Sequence, residues 1–348
     1  MTRAIVVDDS NFVRAVLRQM MDRNGIEVVA EASDGSEAVD LVHTHDPDVV
    51  TMDVEMPDVS GLEAVERIMA DRPTPIVMIS AHTEDGAATT IEALENGAVD
   101  FIPKPDGEVS VELSNFEDRI VETIETAART DPEAGPTSPQ AASTLSVETV
   151  PDTPPTILLG ASTGGPPVLE RVVSELPPEL NARVLVVQHM MEEFTAQFAE
   201  RLDAVGEYDV SEAEHRARVG PGEAVIAKGG YHLDVRSDTG EYLRVALTED
   251  EKWHSVRPAI DPTMISAADV VEGDLVGVVC TGMGEDGAQG IEAVATAGGV
   301  TIAQDEATSQ VFGIPQRAIE TGHVDSVVPV ERIASTIIEA LSEGDSDE

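Results

Sequence analysis

Short apolar runs alternate with amphipathic stretches through most of the chain. In the first third, "AIVV", "VVA", "DVVTM", "PIVMIS" and "DFIPK" have the length of strands, while "FVRAVLRQMMDRN" and "GLEAVERIMADR" repeat apolar residues at helical spacing. Five strands alternating with helices predict a doubly wound α/β sheet. From Thr130 to Pro155 the pattern stops. "TDPEAGPTSPQAASTLSVETVPDTPP" is crowded with Pro, Ser, Thr and Ala and has no periodic apolar face, so it reads as a flexible linker. The alternation returns in "TILLG", "RVLVVQH", "LVGVVCTG" and "GVTIAQ", which predict a second parallel-sheet domain of the same α/β class. Inside that domain, "GEAVIAKGGYHLDVRSDTGEYLRVAL" has short alternating runs around an Asp-Thr-Gly turn and reads as an inserted antiparallel β-hairpin. The expected boundaries are 1–128, 129–154 for the linker, and 155–342.

Composition narrows the possibilities. With 348 residues and a hydrophobic fraction of 41%, two domains can each bury a core. No apolar run is long enough to span a membrane, and "MTRAIVVDDS" lacks the charged and apolar regions of a signal peptide, so a cytoplasmic protein is expected. The single cysteine, Cys280, excludes an internal disulfide and a cysteine-built metal site. It lies in an apolar run, where a thiol is expected to be inert. Acidic residues number 67 against 21 basic ones, a formal charge of −46. Such a field repels nucleic-acid phosphates and anionic lipids, which removes nucleic acid and direct membrane insertion as modes of action. A solvated acidic surface of this kind points to a salt-adapted, halophilic source.

Ligands of open α/β sheets bind beyond the carboxyl ends of the strands. In the first domain those ends carry Asp8 and Asp9, then Asp53, Ser80 and Lys104. Three converging carboxylates repel one another unless a hard cation neutralises them, and Mg²⁺ suits such oxygen ligands. A carboxylate in that setting can accept a phosphoryl group while a lysine and a hydroxyl stabilise the transferred oxygens. His43 and His45 in "HTH" read as surface residues at a helix end. "VVDDS", "TMDVEMPDVSG", "MISAH" and "DFIPKP" together resemble a response-regulator receiver domain over residues 2–126. The resemblance implies Asp53 as the phosphorylated residue, Asp8 and Asp9 as its partners in holding Mg²⁺, Ser80 as the switch hydroxyl and Lys104 as the amine that pairs with the phosphate.

In the second domain an apolar run ends at "GASTGG", with Ser162 in the turn before a predicted helix. The turn lacks both the GxGxxG of dinucleotide sites and the GxxxxGK of triphosphate loops, although a strand-to-helix turn of any kind offers amides to an anion. Two other strand ends favour a nucleophile: "VLVVQH" delivers His189, and "VVCTGMGEDG" delivers Asp286. A serine needs a histidine to take its proton, and the histidine needs a carboxylate to fix its tautomer. The order Ser, His, Asp differs from that of α/β-hydrolases, and "GASTG" is not their elbow motif. Amides of the "STGG" and "GMG" turns can hold an oxyanion.

"GASTGGPPVLE", "QHMMEEFTAQFAERL", "RPAIDPTMISAAD", "CTGMGEDGAQG" and "AQDEATSQVFGIPQRAIETG" resemble, in order and over residues 156–340, the catalytic domain of CheB-type chemotaxis methylesterases. The resemblance implies a serine hydrolase of glutamyl methyl esters on chemoreceptors, with glutamine deamidation in many members and no cofactor for hydrolysis. It makes Ser162 the nucleophile, His189 the base and Asp286 its carboxylate partner, with the amides of Thr163 and Met283 as the oxyanion donors. The implied partners are methyl-accepting chemoreceptors and the histidine kinase of the chemotaxis system. The family commonly has prolines where this chain has Met191 and Glu192, a departure that bears on substrate preference and not on the chemistry, and a proline where it has Lys228; Arg257 is expected either to contact the receptor, to orient a loop or to form a surface salt bridge. The flexible linker allows the first domain to dock over the strand-exit edge of the second and be released by phosphorylation. The alternative is a non-catalytic scaffold that binds a partner or an anion at the "ASTGG" turn.

Overall fold

The computed structural model describes residues 1–80, 84–104, 113–130 and 153–343. The chain divides into two compact units, Met1–Gly135 and Pro136–Glu348. Most of the expected linker, 131–152, lies outside the described residues.

The first unit runs β1 (Arg3–Val7), α1 (Asn11–Arg23), β2 (Glu27–Ala32), α2 (Gly35–His45), β3 (Val49–Asp53), α3 (Gly61–Asp71), β4 (Ile76–Ser80), α4 (Glu84–Glu95), β5 (Asp100–Pro103) and α5 (Leu113–Ala127). Its five strands are all parallel in the order β2-β1-β3-β4-β5. Alternation along β1 explains the two-sided wrapping. Ala4 and Val6 pack with Val13 and Leu17 of α1 and Ile120 and Ile124 of α5. Ile5 and Val7 point to the other face, against Ala38 and Val42 of α2 and Val65 and Ile68 of α3. The helices start where side chains supply acceptors for free amides: Ser10 for α1, Asp34 for α2 and Ser60 for α3.

The second unit continues with β6 (Thr156–Ala161), α6 (Gly165–Glu175), β7 (Arg183–Gln188), α7 (Glu192–Val205), β8 (Asp209–Glu212), β9 (Arg218–Val219), β10 (Glu223–Ile226), β11 (His232–Asp238) and β12 (Leu243–Thr248). It ends with α8 (Ile260–Val270), β13 (Leu275–Val279), α9 (Ala288–Thr296), β14 (Val300–Gln304), α10 (Ile314–Glu320), β15 (Ser326–Val328) and α11 (Val330–Glu343). Seven parallel strands form the main sheet, in the order β15-β14-β13-β6-β7-β10-β8. Helices α8 and α9 cover one face, where Ile260, Met264, Ile291 and Val294 meet Leu158, Leu185 and Val279. The expected hairpin is β11 with β12, antiparallel and extended by β9. The "EAVI" run at the front of that segment is instead β10, a parallel strand between β7 and β8. Its three buried residues, Ala224 to Ile226, belong to the main core, which a hairpin on the surface could not provide.

Candidate functional sites

At the carboxyl edge of the first sheet, Asp8 and Asp53 are buried and Asp9 is exposed. Their carboxylate oxygens lie within 4.8 Å of one another. Lys104 reaches in from the end of β5, with Nζ 2.6 Å from Asp53 Oδ2 and 3.3 Å from Asp8 Oδ2. Backbone amides take the other oxygens: Ser10 N donates to Asp8 Oδ1 at 2.8 Å, and Glu55 N to Asp53 Oδ1 at 3.3 Å. Asp8 Oδ2 is buried and, among the described residues, has no partner other than the Lys104 ammonium at 3.3 Å. Burial raises Asp53 to about 6, against the pull of Lys104 and helped by the charge of Asp8. Asp8 is raised by burial as well, and the two carboxylates hold Lys104 above the usual lysine range despite its own desolvation. A buried oxygen with one long cationic contact, among carboxylates that resist ionisation, is the chemistry of a site that fits a divalent cation. Ser80 ends β4, next to β3 in the sheet, but its side chain lies outside the described residues. His43 and His45 close α2, and His43 contacts Asp71 on the surface.

The second site forms where β6, β7 and β13 end. Ala161 pairs with Gln188, so the following residues, Ser162 and His189, leave adjacent parallel strands side by side. His189 N donates to Ala161 O at 3.1 Å, and Gln188 Nε2 to Ser162 O at 2.8 Å, which ties the two exits together. Ser162 N donates to Thr281 O at 3.0 Å, joining the serine turn to the "TGMG" turn after β13. A Cβ on Gly282 would stand 2.7 Å from Ser162 Cβ, so this approach requires glycine. Gly164, with φ 73°, caps α6, and its helix begins three residues after the serine. Thr163 and Met283, the expected oxyanion donors, therefore lie on two turns laced to each other, with Thr281 Oγ1 also donating to Thr163 O.

His189 Nε2 lies 2.7 Å from Asp286 Oδ2, and both side chains are buried. Asp286 also accepts from Ile260 N at 2.6 Å and Asp261 N at 2.9 Å, capping α8. Burial works against ionisation of Asp286, but the hydrogen bond and charge of His189 and these amides hold it below the ordinary aspartate range. With Nε2–H committed to the carboxylate, Nδ1 carries the lone pair that can take a proton. Among the described residues no hydrogen bond joins the Ser162 hydroxyl to His189, a contact that commonly tightens only when substrate is bound.

Two residues were not anticipated. Asp261 is fully buried; its Oδ1 accepts from Gly287 N and Gly290 N at the start of α9, and its Oδ2 lies 2.8 Å from His254 Nε2. His254, Asp261 and Asp286 are close enough together to share an ion. Each of the two carboxylates, however, already has both oxygens engaged by amides or imidazoles, so this cluster is closed by its own donors. Asp261 lies in "RPAIDPTMISAAD", a segment notable only for its resemblance to the family, and His254 sat in a polar run with nothing to mark it.

Arg257 Nη1 donates to Glu249 O and Asp250 O, the loop-orienting alternative. Lys228 lies 3.3 Å from Glu192 and 3.2 Å from Glu212, so two of the three departures from the family pattern contact each other. Cys280 is buried, and burial pushes its thiol up to about 12. No helix among the described residues is long and apolar enough to cross a membrane.

Comparison with known proteins identifies the family of each unit. Residues 157–337 match the CheB methylesterase family and residues 4–112 the response regulator receiver domain. The chain is 50% identical over 347 residues to a protein-glutamate methylesterase/protein-glutamine glutaminase of Halobacterium salinarum, covering 98% of this chain and 99% of that one. A Thermotoga maritima protein of the same name is 41% identical over 340 residues, covering 97% and 98%. The crystal structure of the Thermotoga maritima CheB methylesterase catalytic domain superposes with a TM-score of 0.52 at 39% identity, covering 54% of this chain and 98% of that one.

Proposed function

Because this chain belongs to the CheB methylesterase family and carries a receiver domain ahead of the esterase, we propose that Ser162, His189 and Asp286 perform its hydrolysis and Asp53 receives its phosphoryl group. The activity is phosphorylation-regulated demethylation of chemoreceptors, and the family leaves the scaffold alternative without support. We assign the receiver to residues 1–128, the linker to 129–154 and the catalytic domain to 155–342, acting in the cytoplasm.

The observation that carries the reading is the 2.7 Å His189–Asp286 contact at the strand exit beside Ser162. His189 Nδ1 takes the hydroxyl proton as Ser162 Oγ attacks the glutamyl ester carbonyl. The tetrahedral oxyanion is held by amides of Thr163 and Met283, aided by the amino end of α6. His189 then returns the proton to the leaving oxygen, methanol departs, and an acyl-serine remains. Water, deprotonated by His189, attacks that acyl group to give the glutamate and free serine. A glutamine side chain follows the same course with ammonia as the leaving group.

In the receiver, Asp8, Asp9 and Asp53 would hold Mg²⁺, which when bound neutralises charge on the incoming phosphoryl group. Asp53 is the nucleophile toward a phosphodonor, which we take to be the histidine kinase of the chemotaxis system. Lys104, now paired with Asp53, moves its charge to the phosphoryl oxygens, and Ser80 supplies a hydroxyl to them. The test is methanol release from methylated chemoreceptor membranes with and without a small-molecule phosphodonor. Release that rises with phosphodonor in the wild type and not in Asp53→Asn supports the reading; absence of methanol under every condition overturns it.

A further inference from the structure

His254 and Asp261 take no part in the chemistry above, yet they are built into its carboxylate. Asp286 accepts from the amides that begin α8, and Asp261, the second residue of α8, accepts from the amides of Gly287 and Gly290 that begin α9. Gly287 follows Asp286 directly. Each carboxylate is thus fastened to the backbone that carries the other, and neither can shift alone.

The remaining oxygen of Asp261 meets His254. Trp253 and Val256 pair across a tight turn, with Val256 N donating to Trp253 O at 2.9 Å. His254 and Ser255 between them are both left-handed, with φ of 49° and 66°. A non-glycine residue in that region costs about 1 kcal/mol. The turn leaves Trp253 partly exposed and directs the imidazole inward, where Nε2 is 2.8 Å from Asp261 Oδ2 and 3.9 Å from Asp286 Oδ1. Nδ1 lies 3.4 Å from Glu285 on the surface. The result is a chain of contacts from His189 through Asp286 and Asp261 to His254. Remove the imidazole, and Asp261 Oδ2 becomes a buried acceptor with no donor. It must then take up a proton or turn away, and either change loosens the amides of Gly287 and Gly290 that hold the Asp286 backbone.

We infer that His254, acting through Asp261, is a positioning residue that sets the Asp286 carboxylate against His189. Its contribution is to turnover and not to substrate affinity, because its imidazole faces the carboxylates. The inference rests on the reading of Ser162, His189 and Asp286 as the catalytic set.

The test compares full-length wild type with His254→Leu, His254→Gln and Ser162→Ala, measuring methanol release from methylated chemoreceptor membranes with phosphodonor at high salt. His254→Leu is expected to lower kcat about tenfold and leave KM within about twofold, less than the roughly hundredfold that a 1 Å misplacement of a catalytic group can cost. His254→Gln, which offers an amide N–H to Asp261, is expected to recover at least about half of the lost rate. Should His254→Leu fail to fold, His254→Asn, whose amide is too short to reach Asp261, takes its place under the same criteria. An unchanged kcat, a loss confined to KM, or a Gln variant as impaired as the Leu variant overturns the inference. Turnover by Ser162→Ala would instead bring down the catalytic set itself; an inert Ser162→Ala beside an unimpaired His254→Leu removes only the role of His254.

Discussion

Asp53 in the first unit and Asp286 in the second are each 1% exposed and sit beyond or at the end of a central parallel strand. Both lose hydration on burial, yet Asp53 rises to about 6 while Asp286 falls below the ordinary aspartate range. The difference lies in the donors that the fold supplies. Asp286 receives two backbone amides and an imidazole, all within 3 Å. Asp53 has Lys104 and one long amide contact, and it faces a second carboxylate whose Oδ2 shares that same lysine at 3.3 Å and has no other partner among the described residues. A hydrolytic carboxylate works when its electrostatics are complete before substrate arrives. A phospho-acceptor works when they are left incomplete, so that a cation and a phosphoryl group can finish them.

The largest effect expected from breaking this contrast is in the completed site. Asp286→Asn keeps an acceptor for the α8 amides but favours the wrong tautomer of His189, and kcat should fall about 10⁴-fold, as in other Ser-His-Asp hydrolases. Methanol release within about tenfold of wild type would show that the carboxylate charge is dispensable.

In the incomplete site, chelation of divalent cations should abolish stimulation by phosphodonor and leave unstimulated hydrolysis unchanged. We also expect a fragment starting near Pro154 to be more active than the unphosphorylated full chain, by about 5- to 150-fold if docking of the receiver couples the two domains with an ordinary allosteric energy. Equal rates would make the receiver a targeting module instead.

The two sites should also respond to pH in opposite senses. Asp53 is raised in the folded protein, so its contribution to stability is fully present below about pH 4 and is lost as pH rises through about 6. From the difference between 3.8 and about 6, that loss is at most about 3 kcal/mol. Asp286 is lowered, so its contribution is present above about pH 4 and lost only as pH falls through its folded value. At high salt and without divalent cations, lowering pH from 7 to 5 should raise the melting temperature of the receiver transition more in wild type than in Asp53→Asn, which keeps only the raised Asp8, and should leave the second transition unmoved by Asp286. The smallest effect is expected at the rim: Lys228→Ala breaks partly exposed pairs with Glu192 and Glu212 and should change stability by about 1 kcal/mol or less by denaturant titration.

The parts of both sites that could be read in the sequence are those where an apolar run ends directly in a reactive side chain: Asp53 after "VVTM", His189 after "VLVVQ", Ser162 after "ILLGA". Hydrophobic patterning locates strand ends, and the doubly wound fold turns strand ends into neighbours. His254 and Asp261 escaped because their roles depend on contacts between α8, α9 and a polar turn, which no local periodicity reports. The same limit applies to β8, β9 and β15, edge or near-edge strands of two to four residues with mixed polarity. "EAVI" was legible as a strand, but its partners in the parallel strand β7 lie 40 residues away along the register, and nothing in four residues distinguishes that pairing from a hairpin.

The central claim is that Ser162 attacks the ester, and Ser162→Ala tests it most directly, since the change removes the attacking oxygen and little volume. Methanol release from methylated chemoreceptor membranes should fall to the rate without enzyme, with phosphodonor present and the circular-dichroism spectrum and melting temperature unchanged at high salt. Release near the wild-type rate from that folded variant would contradict the claim.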